Sequence, residues 1–419
     1  MTWGTSKYTM KGVHELANEK GRVVVTGHAA EVGIVGWSMG GGHSPLSTLH
    51  GLGVDQMLEV ELVGADGSHI IANVNGTTSI SPDMKMVEFT ENNDLFWAMR
   101  GGGAGTWGAV TAMTFKLHKP QNNCQTNCYQ VLNALWVGNF LEDLGEMATV
   151  ISNHILKWMS NPSRTVSGYL ALGALENFDY YISIGEFMYV GDGMDDEPVS
   201  LINELKDLYP DKIASWNPKS YDTYFDKTQN QGPETTYVSG QYPVWTSVLV
   251  NRTILENSED FVKSIWSMWV PRCINMGAYN ETCTTTFQMH FTLPLNDDEV
   301  TDTSVVKKFR EAEMHMTTGV AFNIDGELSP DESTAWIHEV LSPELYKYGS
   351  GSYYSESEYS MKSGQWQDRL WDKETYEKLL AVKQTWDPEH VFECRHCVGD
   401  ESPVLEISEQ TMPSWRFSK

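Results

Sequence analysis

A glycine-rich stretch, VGIVGWSMGGGHSPLS at 32–47, holds residues whose types and spacing could do chemistry. Its GWSMG segment at 36–40 fits the G-x-S-x-G pattern, in which a serine nucleophile sits on a sharp turn between a strand and a helix. Val32–Trp37 is a candidate strand. Gly40–Gly42 oppose a helix directly after Ser38, because interior glycines weaken helices. We therefore keep a serine hydrolase using Ser38 only as an alternative.

A second glycine cluster, GAGTWG at 103–108, fits the G-x-G-x-x-G pattern. In a dinucleotide-binding unit this pattern follows a strand and opens a helix. Here a predicted helix over 91–100 precedes it and a predicted strand over 109–117 follows it, so the order is inverted. Since glycine lets a backbone approach a ligand closely, the two clusters predict either a slot for a flat, phosphate-bearing ligand or merely tight turns.

The charge balance excludes several classes of partner. The chain has 29 Lys and Arg against 56 Asp and Glu, a net charge of −27. Such a surface repels the phosphates of nucleic acids and of anionic membranes. The sequence contains no apolar run long enough for a membrane span. Its 419 residues predict two or three folded units rather than one core.

Cysteine usage and glycosylation sequons indicate an oxidising compartment. Six cysteines form three close groups: Cys124/Cys128, Cys273/Cys283 and Cys394/Cys397. An even count predicts disulfides in a secreted protein, and metal binding by the C-x-x-C at 394–397 is the alternative. Three N-x-S/T sequons agree with secretion, at Asn75, Asn251 and Asn280. We thus expect an extracellular glycoprotein, although residues 1–20 lack the apolar core of a signal peptide.

Hydrophobic periodicity predicts an α+β protein. Near the start of the chain it indicates a helix within 7–21, a strand over 21–26, and a β-hairpin formed by 57–63 and 68–73. Further helices are expected over 137–160, 196–209, 257–270 and 371–384. Strands are expected over 167–191 and 283–294, with a strand-like start to the tail at 336. The middle of the chain therefore reads as an antiparallel sheet with helices on one face.

Taken together, these segments resemble the PCMH-type FAD-binding domain of the vanillyl-alcohol oxidase superfamily, and specifically the berberine-bridge-enzyme-like oxidases. The resemblance rests on GHAAEVGIVGWSMGGGHSPLSTLHGLGVDQM, on ENNDLFWAMRGGGAGTWGAV, and on GSYYSESEY and WDPEHVFECRHCVGDE in the tail. It implies part of an FAD-binding domain at 1–120, a substrate domain at 121–335, and a C-terminal segment at 336–419 that returns to the flavin.

The same resemblance implies FAD-dependent oxidation of a small molecule such as an alcohol, sugar, phenol or alkaloid, with molecular oxygen as acceptor. Tyr353 and Glu356 become candidates for the catalytic base, and packing or hydrogen bonding is the alternative role for Tyr353. His43 is expected to contribute hydrogen bonds rather than to act as a base. The residues implied to contact the cofactor are Gly27, Val32, Gly33, Gly36, Gly41, Gly42, His43, Val110 and Tyr353.

Three departures from the family pattern affect these expectations. Ala29 stands where many relatives carry a cysteine linked to the flavin, so that second covalent link is absent. Ser355 replaces the asparagine of the family's Y-x-N pattern. We also expect the first FAD subdomain, which carries an R-x-G-G-H loop, to be missing, leaving an open groove beside Gly33–Gly42. A non-catalytic remnant is therefore a further alternative. Arg100 is expected to form an ion pair or to contact phosphate.

Overall fold

The computed structural model describes residues 2–4, 9–120, 128–139, 141–160, 165–174, 179–190, 196–229, 241–275, 286–291, 302–323 and 334–400. Two antiparallel sheets organise these residues. The first has six strands in the order β1-β6-β2-β3-β4-β5. Its strands are β1 (Thr2–Gly4), β2 (Met57–Val63), β3 (His69–Asn73), β4 (Gly76–Ile80), β5 (Val87–Thr90) and β6 (Ala109–Phe115).

The second sheet has eight strands in the order β10-β7-β9-β8-β13-β14-β12, and β11 pairs with β7. They are β7 (Tyr129–Gly138), β8 (Val166–Ala174), β9 (Tyr180–Val190), β10 (Ile213–Trp216), β11 (Lys219–Tyr221), β12 (Gln241–Val250), β13 (Thr286–Phe291) and β14 (Met314–Asn323). Every strand pair in both sheets is antiparallel.

Helices cover the sheets and connect them. The first unit, which comprises the described residues up to 120, contains α1 (Met10–Glu19), α2 (Ile34–Met39), α3 (Ser47–His50) and α4 (Asp94–Met99). The middle contains α5 (Leu141–Met159), α6 (Asp196–Leu208), α7 (Tyr224–Gln229), α8 (Arg252–Glu256), α9 (Ser258–Asn275) and α10 (Lys307–Glu311). The tail contains α11 (Ser342–Leu345), α12 (Gln365–Leu370) and α13 (Lys373–Trp386). No described helix is both long and apolar enough to cross a membrane.

Local sequence explains the elements that were predicted correctly. In β2, alternate residues are buried, so Val60 and Leu62 enter the core while their neighbours stay at the surface. A turn at 64–68 joins β2 to β3, and Gly67 adopts a positive φ of 81° there. In α1, the side chain of Thr9 caps the first turn by accepting from Gly12 N. The hairpin and this helix are therefore confirmed.

The second sheet buries one face against helices. Alternate strand residues such as Leu132, Leu170 and Ile184 share one core with residues of α5, α6 and α9. Their burial has the period of two that a sheet with one covered face requires. The predicted α+β architecture, with an antiparallel sheet under helices, is thus confirmed.

Three predicted strands are wrong. Residues 23–26 are buried, but the stretch 21–26 pairs only through an isolated bridge between Val23 and His118. The stretch Val32–Trp37 lies mostly in α2 rather than in a strand. The tail after 336 is helical, with a π-helical turn at Ile337–Leu341 that continues into α11.

The cysteines whose side chains are described form disulfides, as predicted. Cys394 and Cys397 form a disulfide, which decides between the two roles considered for this C-x-x-C. Cys128 is also disulfide-bonded. Cys124, Cys283 and the sequon at Asn280 lie outside the described residues, as does the side chain of Cys273. The sequon residues Asn75 and Asn251 are both exposed.

Burial of His14 predicts that the protein loses stability in mild acid. Its ring shares a 2.6 Å hydrogen bond with the Thr26 hydroxyl, and burial, with a smaller effect of the Lys227 charge, lowers its pKa to about 3. In the unfolded chain this ring is protonated below about pH 6.5. Between pH 6.5 and 3 the unfolded state therefore binds one proton more than the folded state. The stabilising contribution is complete above pH 6.5 and is lost as the pH falls towards 3.

We therefore expect urea unfolding to give a lower free energy of unfolding at pH 5 than at pH 7. In His14→Gln the slope against pH should decrease by up to the value for one proton, about 1.4 kcal/mol per pH unit. An unchanged slope in this variant would show that His14 is not buried in its neutral form.

Candidate active site

The C-terminal segment around Tyr353 packs directly onto both glycine clusters. Gly42 N donates to Tyr353 Oη at 3.2 Å, which joins residues 311 positions apart. A Cβ on Gly40 would overlap the Ser355 side chain, and one on Gly103 would overlap the Tyr354 ring. These glycines are therefore required by close packing against the segment, as well as by positive φ at Gly103 (87°).

The same segment is fixed to the second sheet through β12. Leu249 N donates to Gly351 O at 3.0 Å, and Tyr353 N donates to Ser247 Oγ at 3.1 Å. Ser352 Oγ donates to Ser247 O at 2.7 Å. Residues 351–353 consequently connect the two glycine clusters to the second sheet.

Two histidines and a carboxylate meet beside Tyr353. His43 Nε2 lies 3.5 Å from Glu356 Oε1, and His315 Nε2 lies 3.7 Å from Glu356 Oε2. The rings of His43 and His315 are 5.2 Å apart between centroids. Both rings pack edge-on against the Tyr353 ring, at 5.1 and 5.3 Å. The chain thus gathers residues from the glycine-rich segment, from β14 and from the tail.

Burial sets the protonation of this cluster. Burial, and secondarily the neighbouring Glu356 carboxylate, raises the pKa of Tyr353 above its usual value, so its phenol stays protonated. Complete burial, and secondarily the adjacent His43 ring, holds the pKa of His315 well below the ordinary histidine value. The Glu356 side chain keeps 32% of its surface exposed. The cluster therefore offers a partly accessible carboxylate, a neutral imidazole and a phenol that can hydrogen-bond.

The other predicted cofactor residues divide into a closed group, which is packed against other side chains, and an open group, whose backbone faces open space. Gly27 and Gly42 both pack against the Trp37 ring, and a Cβ on Gly27 would lie 2.9 Å from its Nε1. By contrast, a Cβ on Gly33 or Gly36 would meet no atom within 4 Å. Val32 next to them is 43% exposed.

The backbone at Gly33 and Gly36 thus faces open space, whereas Gly41 lies under the Tyr353 ring. The apolar residues of β2 in the first sheet are mostly covered. Val60 and Leu62 are completely buried there, whereas Leu58 is 48% exposed. Val110 lies on β6, paired with Leu62 of β2.

Ser38 and Arg100 have structural contacts. Ser38 is completely buried in α2, and its hydroxyl donates to Val35 O at 3.0 Å. A nucleophile must be exposed at the top of its turn, so this position excludes the elbow role. Arg100 is buried and donates to the carbonyl oxygens of Val54 and Asp302, at 3.0 and 3.2 Å. The cluster at 103–108 lies between α4 and β6, so the inverted order predicted for it is confirmed.

Comparison with known proteins shows which families and proteins this chain is similar to. The family model described as "Berberine and berberine like" matches residues 342–399, which include Tyr353 and Glu356. The FAD-linked oxidoreductase ZEB1 of Gibberella zeae is 27% identical over 95% of this chain and 63% of its own length. The VAO-type flavoprotein oxidase VAO615 of Thermothelomyces thermophilus is 26% identical over 93% of this chain and 62% of its own. The chain is therefore similar to the berberine-like family in its C-terminal part and to FAD-linked oxidoreductases over most of its length.

Solved structures show that the relatives share the fold. The VAO-type flavoprotein MtVAO713 from Myceliophthora thermophila superposes with a TM-score of 0.72 and 22% identity, over 94% of this chain and 66% of that one. The glucooligosaccharide oxidase of Acremonium strictum gives a TM-score of 0.67 at 17% identity, over 95% of this chain and 78% of that one. The chain spans less than two thirds of the length of the two curated relatives above. Its fold is accordingly that of the VAO-type flavoproteins.

Sequence reasoning missed His315. It lies in the middle of the chain, where the family resemblance is least diagnostic, within the β14 sequence MHMTTGVAFN. Alternation along a strand can place such a residue on one face of a sheet but cannot identify what lies opposite. The ring contacts with His43 and Tyr353 become visible only in three dimensions.

Packing of Tyr354 on Gly103 predicts a destabilising Gly103→Ala substitution. The new methyl group would overlap the Tyr354 ring and occupy a positive φ, which together cost roughly 2–4 kcal/mol. Tyr354→Ala should remove the overlap but not the backbone strain. A double-mutant cycle of unfolding free energies should therefore give a coupling of about 1–2 kcal/mol. Additive effects would contradict the contact.

Proposed function

We propose that this protein is an FAD-dependent oxidoreductase that oxidises a C–H bond of a small molecule and uses molecular oxygen as electron acceptor. One observation carries the proposal: Tyr353 and Glu356, within the segment matched by the berberine-like family model, lie against the glycine-rich segment. This arrangement brings an accessible carboxylate to the wall that the resemblance assigns to the flavin. An alcohol, sugar, phenol or alkaloid with an ionisable hydroxyl is the expected class of substrate.

Several residues of this chain fit FAD. Gly33 and Gly36 present backbone with open space in front of it, beside the exposed side chain of Val32, so a flat ring system can lie there. Among the described residues, the buried hydroxyl of Thr111 makes no hydrogen bond, and it is adjacent to the predicted contact Val110. We propose that these residues hold the cofactor. FAD, when bound, supplies a hydride acceptor for the oxidised C–H bond.

The roles of the protein side chains follow from their protonation. Glu356 is proposed to accept the proton of the substrate hydroxyl, because its side chain is partly exposed and its carboxylate lies between two imidazoles. Tyr353 is a poor base, since its raised pKa keeps it protonated. Its Oη accepts from Gly42 N, so it holds the glycine backbone in place.

The secretion predicted from the sequence is retained as part of this proposal. Exposure of the sequon residues Asn75 and Asn251 and the Cys394–Cys397 disulfide support an oxidising compartment. Mass spectrometry of the natively produced protein tests this, because N-linked glycan at either asparagine requires passage through the secretory pathway.

The open space at Gly36 gives a direct test of cofactor binding. Gly36→Leu should leave the protein folded, because its Cβ meets no atom within 4 Å and leucine favours a helix by up to ~1 kcal/mol over glycine. The larger side chain should nevertheless occupy the proposed ring position and weaken FAD binding at least tenfold.

Titration of the protein with FAD, followed by flavin fluorescence, measures this effect. Gly36→Ala provides the graded control and should weaken binding less than leucine does. Wild-type protein that binds no FAD, or equal affinity in all three proteins, would contradict the proposed site.

Substitution of Glu356 tests the proposed base. Glu356→Gln preserves size but cannot accept a proton, so kcat/KM for oxygen-dependent oxidation should fall by about 10²–10⁴. Tyr353→Phe should cost less, because only its hydrogen bond is removed. Oxygen consumption on a panel of alcohols, sugars, phenols and alkaloids provides the assay. Full activity of Glu356→Gln would assign the base elsewhere.

A further inference from the structure

The cluster of His43, His315 and Glu356 has the geometry of ligands around one ion. One ligand atom from each residue lies within 4.8 Å of the other two. His43 Nε2 is 3.5 Å from Glu356 Oε1, and His315 Nε2 is 3.7 Å from the other oxygen of the same carboxylate, Oε2. Two ligand atoms on a tetrahedral Zn²⁺, each about 2.0–2.1 Å from the ion, are about 3.3 Å apart. Well-formed hydrogen bonds are shorter, at about 2.7–3.2 Å. The 3.5 Å separation of His43 Nε2 and Glu356 Oε1 is therefore closer to the edge of a coordination tetrahedron, and the second imidazole lies beside the other oxygen of the same carboxylate.

Two of the three other described histidine–carboxylate pairs show a contrast, whereas His69 Nε2 and Glu61 Oε2 are 3.3 Å apart. His338 Nδ1 lies 2.8 Å from Glu358 Oε1, and His154 Nε2 lies 2.8 Å from Glu204 Oε2. Both distances are those of direct hydrogen bonds. In the cluster around Glu356, by contrast, each carboxylate oxygen faces a different imidazole at a longer distance.

We propose that His43, His315 and Glu356 form a binding site for a divalent transition-metal cation, with Zn²⁺ as its representative. Two imidazole nitrogens and one carboxylate oxygen are a donor set that suits Zn²⁺ or Co²⁺ better than Mg²⁺ or Ca²⁺, which prefer oxygen ligands only. The three ligands come from separate parts of the framework, and Tyr353 packs against both imidazole rings.

The surroundings suit a cation with an open coordination position. His315 is completely buried, which fixes one side of the site, whereas Glu356 is partly exposed and provides an entry path. Imidazoles bind a metal ion in their neutral form, so this ligand set contributes a charge of −1 and a bound divalent ion leaves only +1. The net charge of −27 on the chain attracts cations towards it.

The proposed metal site is a property separate from the proposed oxidation. Only its expected effect on activity rests on the proposed function. A metal ion on Glu356 would occupy the carboxylate that is proposed to accept the substrate proton. Zn²⁺ should therefore inhibit the oxidase reversibly, and a chelator should restore activity. Metal binding itself is independent of flavin and can be measured on protein to which no FAD has been added.

The experiment uses the full chain after treatment with a chelator. Zn²⁺ is titrated in competition with a chromophoric indicator, and Co²⁺ is added separately to record the visible absorption of a low-symmetry site. We expect one equivalent of Zn²⁺ and d–d absorption from bound Co²⁺. Glu356→Gln and His43→Gln should each weaken Zn²⁺ binding at least tenfold and abolish the Co²⁺ absorption.

Glu204→Gln is the matched control, because it makes the same change in another histidine–carboxylate pair and should leave Zn²⁺ binding unchanged. Thermal unfolding without metal shows that each variant is folded. Absence of stoichiometric Zn²⁺ binding in folded wild-type protein would overturn the proposal, as would unchanged binding in both site variants. Metal binding without any FAD binding would instead contradict only the proposed oxidation.

Discussion

Close backbone packing of the tail segment 351–356 on the two glycine clusters is the contact on which the site depends. A side chain as small as alanine at Gly40 or Gly103 would overlap this segment. Because protein interiors are packed at near-crystalline density, such overlaps cannot be absorbed without moving the backbone. Glycine at these positions is therefore what allows Tyr353 and Glu356 to reach His43.

The two sheets are also held together by a buried ion pair. Arg310 donates to both oxygens of Asp55, at 3.1 and 2.8 Å, with only 6% and 10% of the two side chains exposed. The planar guanidinium matches the carboxylate in a bidentate arrangement, which fixes direction as well as distance. Since Arg310 lies five residues before His315, this pair orients the entry to β14. Its removal from one side would leave an uncompensated buried charge.

Sequence patterns correctly predicted the elements that are determined by interactions between residues close together in the chain. The β2–β3 hairpin follows from alternation and a glycine turn, and α13 follows from periodicity and the Asp-Pro that ends it. The strand expected over 21–26 failed because three consecutive valines are buried without forming a ladder. The helix at 34–39 is short and contains a glycine, so tertiary packing rather than helix propensity decides it.

The candidate site shows the same division. Tyr353, Glu356 and His43 could be named because a family resemblance covers their segments. His315 could not, because its role depends on contacts between residues far apart in the chain, and no periodicity records them. The division of the predicted cofactor residues into an open and a closed group likewise depends on where the tail packs.

The distance in sequence between Gly42 and Tyr353 also has a consequence during synthesis. At 5–20 residues per second, a ribosome needs about 15–60 s to make the residues that separate them. Throughout that interval the glycine-rich segment exists without the tail that covers it. The first sheet can form its own strand pairs in this time, since its pairings involve only residues 2–115. Assembly of the site is therefore a late event in the biogenesis of this protein, and it depends on a nascent chain that stays soluble until then.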